Sequence, residues 1–144
     1  MTGNSRFAVS VHVLAYLAYK DGGQTTSAEI ASSVDTNPVV IRRLLSALVR
    51  GRLVSAQKGV GGGFALASAP ANITLLDVYR AVEPQPDHGL GRFAPNTKCP
   101  VGARIETILR TAFFKAQAGM EAQLAGVSLL EVHQQLKGVC PGKH

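Results

Sequence analysis

The sequence predicts a mainly α fold with a small antiparallel β-hairpin wing: a winged helix-turn-helix followed by a long C-terminal dimerisation helix. Three observations predict it. A short, well-capped helical segment and a longer one flank a tight turn at Val34-Asp35-Thr36. The apolar pattern then becomes extended on either side of Gly59-Val60-Gly61-Gly62-Gly63. Finally, residues 101–125 carry a helical apolar stripe.

Residues 5–20 (SRFAVSVHVLAYLAYK) read as the first helix. Ser5 is its expected N-cap, Phe7, Val11, Leu14 and Leu17 share a face, and Asp21-Gly22-Gly23 ends it. Residues 27–33 form the second helix, opened by a Thr26–Glu29 capping box in which each side chain satisfies the other's free N–H. Asn37 caps the third, and Pro38 takes its first position, where a missing N–H costs nothing. That helix runs to about Arg50, before Gly51. Residues 53–58 are extended, 59–63 turn and 64–67 return. A second box, Thr74 with Asp77, opens a helix ending near Glu83. Prolines and glycines make 84–100 a loop, long enough to suspect function. The long helix, roughly 38 Å at ~1.5 Å per residue, has the stripe Val101, Ile105, Ile108, Ala112, Ala116, Met120 and Leu124. Ser128 with Glu131 opens a last helix through Lys137, and the tail is expected to fray. The expected division is 1–83 as the DNA-binding unit, 84–100 as a loop and candidate sensor region, and 101–144 as dimerisation helix, final helix and tail.

Charge narrows the function. The 144 residues hold 15 Lys and Arg against 9 acids, a net +6, which points to a polyanionic partner, nucleic acid first. The absence of Trp and an aromatic share of 6% disfavour a base-stacking platform for single strands. The longest apolar run, 7–19, contains His12 and falls short of the roughly 20 residues of a membrane span. Lys20-Asp21 follows it in place of a small-residue cleavage site, so a cytoplasmic protein with no membrane role is expected. The glycine run resembles a phosphate loop only superficially: a strand follows it, and no Lys-Ser/Thr does. No catalytic triad or carboxylate pair stands out, so no enzymatic activity is expected.

On a helical wheel of residues 37–50, Ile41, Leu44, Leu45 and Leu48 fall on one side. Val39, Arg43, Ser46 and Arg50 fall on the other, with Arg42 on the flank. Between Asn37 and Lys58 stand Arg42, Arg43, Arg50, Arg52 and Lys58, with no acid. A single exterior Arg is ordinarily just solvated. Five cations on a helix-turn-helix and its wing instead suit a major groove, where Arg forks onto guanine. The N-terminus of the second helix (Thr26, Ser27) offers N–H groups to phosphate. Lys58, Gly59, Gly61 and Gly62 allow close approach to the DNA backbone or minor groove, although turn chemistry alone accounts for the glycines equally well. The expected DNA-facing set is therefore Thr26, Ser27, Asn37, Pro38, Val39, Arg42, Arg43, Ser46, Arg50, Lys58, Gly59, Gly61 and Gly62. The alternative is a winged helix that binds protein without DNA.

The stretch TTSAEIASSVDTNPVVIRRLLSALVRGRLVSAQKGVGGGFALASAPANITLLDVYRAVE resembles the Rrf2 family of winged-helix regulators. EIA in the second helix, the GVGGGF wing with its following AL, and ITLLDVYRAVE are the most telling parts, and SLLEV extends the likeness almost to the end. The resemblance implies a homodimeric transcriptional regulator, usually a repressor, whose long helix crosses its partner's and whose wing reads DNA. The residues independently suggest a dimer, because an 80-residue winged helix alone offers too little surface to cover so long a stripe. A twofold dimer implies double-stranded DNA with a near-palindromic operator.

Cluster-binding relatives carry three cysteines in the loop before the long helix. Here Cys99 matches the third position, and the only other cysteine is Cys140 in the tail. No iron–sulfur cluster, zinc or other cofactor is therefore expected. Cys99 precedes a helix N-terminus beside Lys98, with Arg104 nearby, where positive potential favours thiolate. Cys99 and Cys140 are candidate redox- or electrophile-sensing residues. His12 is expected in the core or a groove, and His133 and His144 at the surface.

Overall fold

A computed structural model describes residues 3–83 and 94–139. Its elements are α1 (Gly3–Lys20), α2 (Ser27–Val34), α3 (Pro38–Arg50), β1 (Val54–Gln57), β2 (Gly63–Leu66), a 3₁₀ turn (Pro70–Asn72), α4 (Leu75–Val82), α5 (Pro100–Ala125) and α6 (Leu129–Val139). The fold is mainly α with one two-stranded antiparallel sheet, as the sequence predicts.

One apolar core joins almost every element. Val13, Leu14 and Leu17 of α1 meet Ile30 of α2, the α3 row Ile41, Leu44, Leu45 and Leu48, Val54 of β1, and Val78 and Val82 of α4. Leu129 of α6 is fully buried in the same core. The chain returns to it by a backbone stitch: Leu75 N–H donates to the Val127 carbonyl at 2.9 Å, and Leu129 N–H donates to the Ile73 carbonyl at 2.7 Å. α5 contributes no buried residue.

Local signals act mostly where expected. Asn37 Oδ1 accepts from Val39 N–H at 2.8 Å, and Pro38 begins α3. Thr74 and Asp77 form both halves of their capping box, at 3.0 and 3.1 Å. The Thr26 box is only half made. Thr26 Oγ1 accepts from Glu29 N–H at 3.2 Å, but the Glu29 carboxylate turns to the Thr26 hydroxyl and to Lys20, 3.6 Å away. The nearby cation wins that carboxylate from the backbone. Glu131 N–H donates to Ser128 Oγ at 3.1 Å.

Some boundaries move. α1 starts at Gly3, so Ser5 lies inside the helix and does not cap it. Pro100 is the first residue of α5 rather than the end of the loop, a position that suits its fixed φ. Gly63 belongs to β2 and pairs with Gln57. α6 extends to Val139. Within the expected 84–100 loop, 84–93 lie outside the described residues and 94–99 are irregular. The tail from 140 onward, with Cys140 and His144, also lies outside them.

Candidate nucleic-acid interface

α2 and α3 meet through a one-residue left-handed turn. Asp35 has φ 59° and ψ 51°, and Thr36 N–H closes back on the Ala31 carbonyl at 3.2 Å. This turn lets α3 bury Ile41, Leu44, Leu45 and Leu48 while its other side stays open. Val39, Arg42, Arg43, Ser46 and Arg50 are all exposed, as are Asn37 and Pro38 at the start of the helix. Burying four such side chains contributes on the order of 1.5–3 kcal/mol each, so the apolar side fixes the helix's rotation and hence its cationic side.

The exposed side divides. Arg42, Ser46 and Arg50 line a cleft against Ala56 and Phe64 of the wing. Arg43 lies on the other flank, in a groove of about 570 Å³ shared with Arg50, Arg6 of α1 and Ala81 of α4. Arg50 borders both. The sequence wheel grouped Arg43 with Ser46 but did not reveal Arg6, which reaches this groove only through the packing of α1 on α3 and α4. None of the ion pairs among the described residues engages Arg6, Arg42, Arg43, Arg50, Arg52 or Lys58.

The wing is a hairpin in the register Val54↔Leu66 to Gln57↔Gly63. Its turn uses positive φ at Gly59 (94°) and Gly61 (77°), which an L side chain resists. A Cβ on Gly62 would drive into the Gln57 carbonyl. Lys58, Gly59 and Gly61 are exposed at this tip, Gly62 is half-buried, and Val60 projects fully into solvent beside them. The base of the wing is tied to the helix-turn-helix. Thr25, two residues before α2, bridges Phe64. Thr26 and Ser27 thus begin α2 next to the wing's return strand, Thr26 exposed and Ser27 half-buried.

Cys99 stands at the start of α5, apart in sequence from this face. It is exposed, and the N–H groups of Gly102 and then Val101 hold its thiol below the usual range. Asn96 shapes the turn: its carbonyl accepts from Cys99 N–H at 3.2 Å and packs so closely on α5 that a Cβ at Gly102 would strike it. Among the described residues, no three His, Cys, Asp or Glu side chains gather where they could hold a metal ion. The whole chain has two cysteines, too few thiolates for a Cys-ligated cluster. His12 lies outside the core, in a groove between α1 and α6, with Nε2 3.0 Å from Ser33 Oγ, and His133, expected at the surface, is half-buried in the same groove. Among the described residues, no helix is long and apolar enough to cross a membrane.

A family model described as "Rrf2: Iron-dependent Transcriptional regulator" matches residues 3–135. YwnA of Bacillus subtilis (strain 168), a candidate HTH-type transcriptional regulator, is 42% identical over 133 residues, covering 92% of this chain and 98% of that protein. The crystal structure of a candidate DNA-binding protein superposes with TM-score 0.72 at 39% identity, covering 88% of this chain and 97% of that one. That of a candidate transcriptional regulator from Lactobacillus plantarum gives TM-score 0.80 at 29% identity, covering 92% and 89%.

Proposed function

The chain belongs to the Rrf2 family and is a winged-helix transcriptional regulator, and on that footing we propose that it acts as a cytoplasmic homodimeric repressor of a near-palindromic operator. α3 enters the major groove through Val39, Arg42, Arg43, Ser46 and Arg50, with Asn37 and Pro38 at its leading end. Thr26 and Ser27 present N–H groups to phosphate, and Lys58 with Gly59, Gly61 and Gly62 brings the wing against the backbone. The observation that carries this is the cationic side of α3, which forms no ion pair among the described residues and is fixed by the burial of its opposite side.

Residues 1–83 serve as the reading unit, 84–100 as the connecting loop and 101–144 as the dimerisation segment. α5 supports the dimer: none of its residues is fully buried, and Ile108 and Phe114 are 59% and 69% exposed. The protein is also redox- or electrophile-responsive through Cys99, favoured by its exposure and lowered thiol pKa, with Cys140 as a resolving thiol.

The experiment is selection of bound duplexes from random DNA, with oxidised and with reduced protein, alongside sedimentation. The expected result is an enriched inverted repeat bound by a dimer, with affinity falling steeply with salt. A monomer that enriches no duplex at low ionic strength overturns the proposal, and a flat salt response with a protein partner favours the interaction-module alternative.

A further inference from the structure

α1 and α6 flank a cleft of about 270 Å³, open to solvent on one side, that the DNA-binding face does not use. Its α1 wall follows helical spacing: His12, Ala15, Tyr16 and Tyr19 lie at i, i+3, i+4 and i+7, on one face. Its α6 wall comes from His133, Leu136 and Lys137, where the first and last are i, i+4 neighbours. Tyr16 and Tyr19 stack with ring centres 6.1 Å apart, so the walls are chiefly aromatic and aliphatic. Among the described residues, no acid lines the cavity. The polar groups that do are two imidazoles, one ammonium and the hydroxyls of Tyr16 and Tyr19.

We propose that this cavity is an effector site for a small monocarboxylate with an apolar or aromatic body. The body fills the space between the tyrosines and Leu136, and the carboxylate accepts from Lys137 Nζ and an imidazole N–H at the rim. The volume suits one ring or a short acyl chain. Charge complementarity selects an acid over its amide, because an ammonium donor gains far more from an anion.

The cavity is also placed to report on DNA binding. His12 both lines it and holds Ser33 of α2, the first helix of the helix-turn-helix, at 3.0 Å. An occupant that shifts the His12 ring shifts one side-chain contact between α1 and α2. This regulatory half rests on the proposed DNA-binding function; ligand binding itself does not.

The test titrates the full-length protein by calorimetry with butyrate, hexanoate, benzoate and 3-phenylpropionate, each against its amide. One acid is expected to bind at one site per chain, about tenfold or more tighter than its amide. Lys137→Met, at an exposed position, is expected to remove that preference with thermal unfolding unchanged. Leu136→Trp, which fills the cavity from an exposed position, is expected to abolish binding. The bound acid is then expected to shift affinity for the selected duplex by about threefold or more, and Ser33→Ala to erase that shift. Failure of every acid to bind folded protein, equal binding of acid and amide, or indifference to both substitutions overturns the site. Binding that leaves duplex affinity unchanged overturns the coupling. Absence of duplex binding without any acid would instead count against the DNA-binding function and leave the calorimetric result standing.

Discussion

Thr25 and Phe64 exchange both of their backbone hydrogen bonds, at 2.9 and 2.8 Å, and so clamp the wing to the chain entering α2. The clamp works because Gly63 has no side chain. A Cβ there would lie 2.7 Å from the Thr25 carbonyl oxygen, and its φ of +149° is strained for any L residue. Gly63→Ala is expected to cost on the order of 1–3 kcal/mol and to weaken duplex binding by releasing the wing. Calorimetric unfolding and a gel-shift titration check both. Unchanged affinity would show that the wing's placement does not matter to DNA.

Arg43 and Arg50 are expected to separate by role. Each →Ala change should lower affinity, and one that removes a phosphate contact should reduce the slope of log K against log salt by about 0.9. One that removes a guanine contact should cost about 1–3 kcal/mol and relax preference at one operator position. Arg6→Ala, beside them in the same groove, is expected to act on the slope alone. Titrations at several salt concentrations with cognate and mismatched duplexes distinguish these outcomes.

The helices of the DNA-binding unit were legible because their determinants are local. Asn37, Pro38, Thr74 and Asp77 act on backbone groups within three residues, and the α3 wheel needs only helical periodicity. Relationships distant in sequence were not legible. The Thr25–Phe64 bridge, the return of Leu129 to the core and the arrival of Arg6 beside Arg43 arise from tertiary packing. Glu29 missed its box for the same reason: Lys20, on another helix, competes for it. Ser5 misled because a cap-type residue inside a helix looks the same in sequence as one at its boundary.

Ile108→Glu is expected to convert the dimer to monomer without unfolding it. Ile108 is exposed in the single chain, so only association places it where a charge is costly. Sedimentation with circular dichroism tests this. A persistent dimer would move the interface away from the α5 stripe.

The junction of α4 and α5 is expected to respond to acid. Glu121 accepts from Gln117 at 2.9 Å and pairs with Arg80 at 3.0 Å, and these contacts, Gln117 first, hold its carboxyl below the usual range. A depressed folded value favours the native state above the unfolded pKa, and that contribution is lost as pH falls through the folded one. Glu121→Gln should therefore lower thermal stability slightly at neutral pH and match the parent at acid pH, so that the acid-side loss is flatter. Melting curves from neutral to acid pH check the sign.

Cys99 is expected to alkylate with a pH midpoint below that of a free thiol, because the N–H groups of Gly102 and Val101 favour its thiolate. The measurement uses Cys140→Ser protein so that one thiol is followed. A midpoint at or above the free value would remove the chemical basis for sensing at this residue.

Where the polypeptide leaves α5, it is sewn onto the first turn of α4 by the Leu75–Val127 and Ile73–Leu129 bonds. A tug on the far end of that long rod therefore reaches the reading head through a taut seam, with no slack tether to absorb it. Two such heads joined rod to rod would behave like calipers locked at one setting, tolerant of small errors in the letters they read but not of an inserted base pair between them.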